Sequence, residues 1–214
     1  MGFDLLPILL RGLDVTVRLT LTSAALAFVI AIVAGLGRLS PLAPVRFLAG
    51  AYVEVFRGTS VLVQMFWLFF ALPLFGITLT PFAAGVCALA LNIGAYGAEI
   101  VRGAVRSVPV GQIEAAVALN LTPAQRMRRV VLPQALLLML PPFGNLLIEL
   151  LKATALVSLI TIPDITFQGV TLQQTTGRTT EIFLWLLILY FALAYPMTLA
   201  VRWVERRASA FRKA

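Results

Sequence analysis

Charge is missing from four long stretches of this 214-residue chain, and that absence constrains the fold more than any motif does. Leu19 to Gly37, Gly58 to Ala98, Val130 to Ile148 and Ile182 to Val201 contain no Asp, Glu, Lys or Arg. A soluble domain is about 25% charged, whereas only 12% of this chain is. The solvent for much of its exterior is therefore lipid. An ionised side chain at the bilayer centre costs roughly 2.5–3.5 kcal/mol on insertion scales, so uncharged intervals mark crossings. The 41 residues from Gly58 to Ala98 are too long for one crossing and divide at Pro73, Gly76 and Pro81. Pro141 and Pro142 interrupt the third interval, so Pro133 to Leu140 reads as an approach to a span that begins near Phe143. The expected fold is all-α and polytopic, one transmembrane domain over residues 1–214, with five transmembrane helices at about 15–37, 58–75, 82–101, 143–160 and 182–201.

Basic residues orient these spans. Arg38, Arg46 and Arg57 follow the first. Arg102, Arg106, Arg126, Arg128 and Arg129 lie between the third and fourth, and Arg202, Arg206, Arg207, Arg212 and Lys213 follow the fifth. That is 13 of the 17 basic residues on one side, with Arg11, Arg18 and Arg178 on the other and Lys152 inside span four. The positive-inside rule puts the N-terminus outside and the basic tail in the cytoplasm, held to anionic lipid and not to nucleic acid. The first apolar run is of spanning length and reads as retained, not as a cleaved leader, with Phe3 to Leu10 along the outer interface.

Composition also excludes chemistries. With no histidine there is no Ser-His-Asp triad and no HExxH zinc site. A lone cysteine, Cys87, forms neither an intrachain disulfide nor a CxxC site, and no P-loop sequence is present. The residues call for no catalytic site, no metal and no cofactor.

The segment from Arg102 to about Pro133 is far longer than a helix hairpin needs. GQIEAAVAL reads as a short helix, Asn120 as a left-handed stop, Thr122 as the cap of a second helix and Pro123 as its first residue. Two short helices joined by a tight turn make a knob on the basic side. Small residues recur at four-residue spacing in two spans, Ala27, Ala31 and Gly35 in the first and Ala90, Gly94 and Ala98 in the third, a pattern that lets helix backbones approach closely.

These residues resemble the inner-membrane permease subunits of ABC importers of the polar amino acid (histidine/glutamine/arginine) type. Glu114-Ala115-Ala116, followed by Leu132-Pro133, is similar to the EAA loop by which such permeases dock on their ATPase. YVEVFRGTSVLVQ, NIGAYGAEIVRGAVRSVPVGQIEAA, VVLPQA and LLKATALVSLI occur in the family's order, so the resemblance covers about Leu13 to Arg207. Asn120 stands where the family has glycine, Ser60 where RGTP is common, and Ala153 and Ala155 replace polar positions of KDTS. The resemblance implies an ATPase-docking coupling loop formed by Gly111, Glu114, Ala115, Ala116, Asn120, Leu132 and Pro133. It implies two ATPase subunits, a second permease copy or paralogue, and an extracytoplasmic solute-binding protein received on the external face, where the polar outer segment Thr161 to Glu181 reads either as a small platform or as a plain solvated loop. The cargo it implies is a polar amino acid or a related small zwitterion, such as the compatible solute ectoine, carried across a bacterial inner membrane without any enzymatic step in this chain.

Glu149 and Lys152 are three residues apart in span four and share a helix face. Ionisable groups at that depth pair with one another or face a cavity, so the two either form a structural ion pair or meet the ammonium and carboxylate of the cargo. Asn92 in span three and Gln64 in span two are the other pathway candidates, Asn92 favouring a bridge between helices over a contact with cargo. Glu99 and Arg102 read as an interfacial pair. Two rival classes, an intramembrane enzyme and a self-contained channel or secondary transporter, leave the thirty-residue knob without a use.

Overall fold

A computed structural model of the chain describes residues 4–211, with side chains to residue 206. Arg207, Arg212 and Lys213 of the basic tail lie outside the described side chains. Long helices dominate: α1 (Leu6–Gly37), α4 (Pro81–Arg106) and α9 (Thr179–Phe211) are single rods, with shorter helices α2 (Ala43–Gly58), α5 (Val110–Ala118) and α8 (Ile165–Thr176) between them. α3 (Val61–Phe66) continues through a π turn and a 3₁₀ turn to Phe75, where Gly76 ends it in the left-handed region at φ 83°. α6 (Pro123–Arg126) passes through a π turn at Met127–Val131 into α7 (Leu132–Ala153) and a 3₁₀ stretch to Ile160. Four helices are long and apolar enough to cross a bilayer: Leu6–Gly37, Pro81–Arg106, Pro123–Ile160 and Thr179–Arg206.

Three sequence expectations change here. Residues 123–160 form one 38-residue helical stretch, so Pro133 to Leu140 is part of it and not an approach to it. Pro133 occupies the first turn of α7, where no N–H is needed. Pro141 and Pro142 are carried inside the helix, as membrane helices allow when neighbours and local π adjustment satisfy the freed carbonyls. The segment after the first span, left without structure by the sequence, is helical: α2 meets the Val61–Phe75 helix at 103°. At ~1.5 Å per residue Val61–Phe75 alone is shorter than the hydrocarbon layer. Finally, α1 begins at Leu6, and Leu5 and Leu9 are buried against Ile165, Ile182 and Leu186, so this stretch packs into the bundle instead of lying on its surface.

The two rows of small residues face each other. Ala27, Ala31, Ala90 and Ala98 are buried, and α1 and α4 come so close that a Cβ on Gly35 would stand 2.5 Å from Val101 Cβ and 2.8 Å from the Ala98 carbonyl oxygen. A Cβ on Gly97 would meet Ala31 at 2.6 Å. Gly35→Ala should therefore cost about 1–3 kcal/mol by overpacking, read as a lower melting temperature in detergent. Gly103→Ala, which has open space around it, should not lower it.

α8 is fastened at its first residue. Asp164 is fully buried and caps α8 by accepting from Phe167 N at 2.8 Å, while Tyr190 Oη of α9 donates to it at 3.3 Å. Burial pushes its carboxyl up to about 6. Thr16 Oγ1 of α1 accepts from Ile165 N at 3.2 Å, and the backbone there lies so close to Gly12 that no side chain would fit.

Candidate docking knob and pathway residues

The segment between α4 and α7 closes by backbone hydrogen bonds. Leu121 N donates to Ala116 O at 3.1 Å and Asn120 N to Val117 O at 2.8 Å, with Asn120 at φ 53°, a Schellman turn built on asparagine in place of glycine. Thr122 and Gln125 then form a reciprocal capping box, Gln125 N to Thr122 Oγ1 at 3.3 Å and Thr122 N to Gln125 Oε1 at 2.9 Å. Val108, Ile113 and Met127 anchor the knob to Val105, Val131 and Ala135 at the ends of α4 and α7.

This geometry separates the two alanines. Ala116 is 2% exposed and packs inside the knob, whereas Glu114 and Ala115 are exposed. Gly111 and Asn120 are exposed too, Pro133 lies exposed on the first turn of α7, and Leu132 is half-buried beside it. Val110, Glu114 and Val117 fall at i, i+4 and i+7 on one helix face, with Val110 and Val117 exposed. Leu119, 74% exposed, stands at the turn. A short helix with apolar residues turned outward and one carboxylate among them is an unpartnered surface.

Gln64 and Asn92 are brought together, but not in a cavity. Asn92 Nδ2 and Gln64 Nε2 each donate to the Phe56 carbonyl at 2.9 Å, and Gln64 Nε2 also donates to Thr59 Oγ1 at 2.7 Å. Phe56 is in the last turn of α2, whose carbonyls lose their helical partners when the chain turns at Thr59. In lipid such a carbonyl must be satisfied by protein, and these two amides do it. Tyr52 Oη donates to Leu91 O at 2.6 Å, and the Arg57 guanidinium lies 5.1 Å from the centre of the Tyr96 ring, so α2 is held to α4 at several points. The bridge expected of Asn92 is present; Tyr52 and the shared carbonyl carry no signal in the sequence, where the segment between the first two spans has no assigned structure.

The Glu99–Arg102 pair is present at 2.5 Å and is larger than expected. Arg38 from the end of α1 also bonds Glu99, and Glu54 of α2 lies 3.8 Å from Arg38. One carboxylate thus ties the ends of α1 and α4 together, with α2 alongside.

Glu149 and Lys152 do not pair with each other. Both are exposed, and among the described residues neither has an ion pair or side-chain hydrogen bond. Asn145, one turn earlier, is exposed on the same side, and sequence reasoning missed it. Its signal was present as an amide four residues before Glu149. The three make a polar stripe on a lipid-depth helix that no described element covers. No group of three or more potential metal ligands occurs among the described residues.

A bundle of lipid-crossing helices with a structured knob between two of them and a polar stripe along one defines a membrane transport subunit. The chain belongs to the family described as binding-protein-dependent transport system inner membrane components, which matches residues 6–210. It is 45% identical over 208 residues to a probable amino-acid ABC transporter permease protein, y4tF, of Sinorhizobium fredii, covering 94% of this chain and 87% of that one. It is 35% identical to the glutamine transport system permease protein GlnP of Escherichia coli, covering 94% and 93%. Among solved structures, an amino acid ABC transporter superposes with a TM-score of 0.89 at 37% identity, covering 94% of each chain. The MetNI methionine ABC transporter in an inward-facing form has a TM-score of 0.82 at 24% identity, which speaks for the fold. The chain is a multi-pass inner-membrane permease component and not an enzyme; in such systems the ATPase is a separate subunit. The enzyme and secondary-transporter readings fall with this.

Proposed function

We propose that this chain is one half of a two-permease pore in an ATP-driven importer of a polar amino acid or similar small zwitterion. The observation that carries the reading is the uncovered stripe of Asn145, Glu149 and Lys152. Groups of that polarity do not face hydrocarbon, so they border a second permease copy or paralogue and the water-filled path between them. Glu149 meets the cargo ammonium and Lys152 its carboxylate. Gln64 and Asn92 hold the bend through the Phe56 carbonyl, which leaves their amides engaged away from the cargo. The names of the relatives, cystine and glutamine permeases among them, support the amino-acid class and lend nothing to ectoine.

Taken as a fifth crossing, the bent pair α2 and Val61–Phe75 supports, with the 13 basic residues on one side, an N-terminus outside and the basic end of α9 in the cytoplasm. The knob then projects into the cytoplasm, where Glu114, Ala115, Val110 and Val117 dock on an ATPase subunit, and α8 faces an external binding protein. ATP-driven closure of the two ATPase subunits swings the permease halves as rigid bodies.

Affinity purification of the full-length chain from membranes, followed by reconstitution in liposomes, tests this. The expected result is a co-purifying ATPase and uptake that needs ATP. Transport by the chain alone, with no ATPase in any preparation, would refute it.

A further inference from the structure

α1 and α9 touch the same core near Leu9 and Ile182 and then diverge, leaving a groove of about 430 Å³ between them. Ala24 and Phe28 form one wall, Ala200 and Val204 the other, and Ile93 and Leu147 the floor; every lining side chain is apolar. Phe28 packs edge-on against Phe143 at 5.5 Å and closes one side. We propose that this groove is a binding site for one acyl chain of an anionic phospholipid in the leaflet on the basic side of the molecule.

Three observations choose this occupant. First, position: Ile93 is midway along α4 and Ala24 lies within the uncharged stretch of α1, while Val204 is two residues beyond Arg202, so the groove runs from mid-membrane to the basic interface. A lipid tail of that leaflet follows the same path. Second, orientation: at 100° per residue, the α7 residues on the groove, Phe143, Gly144 and Leu147, lie about half a turn from Asn145, Glu149 and Lys152. A protein partner covering the polar stripe leaves the groove on the far side. The residues flanking it, Leu21 and Val29 on α1 and Leu199 and Trp203 on α9, are exposed and apolar, the composition of a lipid-facing surface. Third, charge: Arg202 is exposed on α9 beside the groove residue Val201, where the groove meets the interface, and a positive residue there is worth about 1 kcal/mol toward anionic lipid. The groove is formed where α7 and α9 approach most closely, at Gly144 beside Val201, so a tail seated in it also wedges against the α7–α9 contact.

The test is photolabelling of the full-length chain, purified with any subunits that accompany it, in phosphatidylcholine nanodiscs doped with diazirine-acyl phosphatidylglycerol. Label is expected on peptides containing Ala24–Phe28 and Met197–Val204 at five or more times the yield on the lipid-exposed stretch Phe183–Phe191. It should fall about fivefold in Ala24→Leu/Ala200→Phe, with labelling of Phe183–Phe191 unchanged. A diazirine-acyl phosphatidylcholine probe should label the groove less than the phosphatidylglycerol probe does. Even labelling around the helices, equal yields from the two headgroups, or crosslinks from benzoylphenylalanine at position 200 to polypeptide instead of lipid would overturn the proposal. The unsubstituted chain's labelling pattern decides it even if the filled variants fail to insert.

Discussion

Replacing Glu149 by Gln leaves the chain in the membrane at its normal level and lowers uptake by roughly 10- to 100-fold, the effect of removing a charge-assisted contact worth about 1.5–3 kcal/mol. The expectation follows from what Glu149 does not do. It is exposed and has no side-chain bond among the described residues, so its loss strands no buried partner. Were it a structural ion pair with Lys152, removing one member would leave an uncompensated charge and the protein would disappear with the activity. Measuring membrane-inserted protein and uptake in the same cells separates the cases, and unchanged uptake with normal insertion refutes the cargo contact. Glu99→Gln supplies the contrast. That carboxylate holds both Arg38 and Arg102, so here the amount of inserted protein is expected to fall.

Glu114→Lys combined with Val117→Lys is the second large effect. Glu114 and Val117 share the outward face of α5 with Val110, while the turn that shapes the knob rests on backbone hydrogen bonds and on Thr122 with Gln125. The double variant therefore keeps its fold and places the wrong charge on the surface proposed to meet the ATPase. Co-purification of the ATPase and coupled uptake are both expected to drop at least tenfold, since a like charge at a desolvated contact costs more than 1.4 kcal/mol. Normal coupling in an inserted double variant rules the docking role out.

How much of this could be read from the residues depends on how local the signal was. The asparagine turn, the Thr122 cap and the Pro123 start were legible because each is decided within four residues. The rows of Ala27, Ala31, Gly35 and Ala90, Gly94, Ala98 signal close packing, but that they face each other is set by the tertiary arrangement and is not written in either row. α2 was not legible, since Arg46, Glu54 and Arg57 set it outside the uncharged intervals, and its 103° turn depends on Asn92, 36 residues away from Phe56. The pairing of Asp164 with Tyr190 is hidden for the same reason. Glu149 and Lys152 illustrate the opposite limit: helical spacing permits a contact between i and i+3 but does not compel it, and here the two charges stay apart.

The continuity of the helical stretch from Pro123 to Ile160 has a mechanical meaning. Some 26 residues separate the capping box from Glu149, about 39 Å at helical rise, and no loop interrupts them. The knob and the polar stripe are thus joined by one helical stretch whose regular hydrogen bonding is altered at the π turn of Met127–Val131 and at the Pro141–Pro142 step. On the proposed docking of the knob, stiffness at those two places would set how much of the ATPase's motion arrives at Glu149 and Lys152.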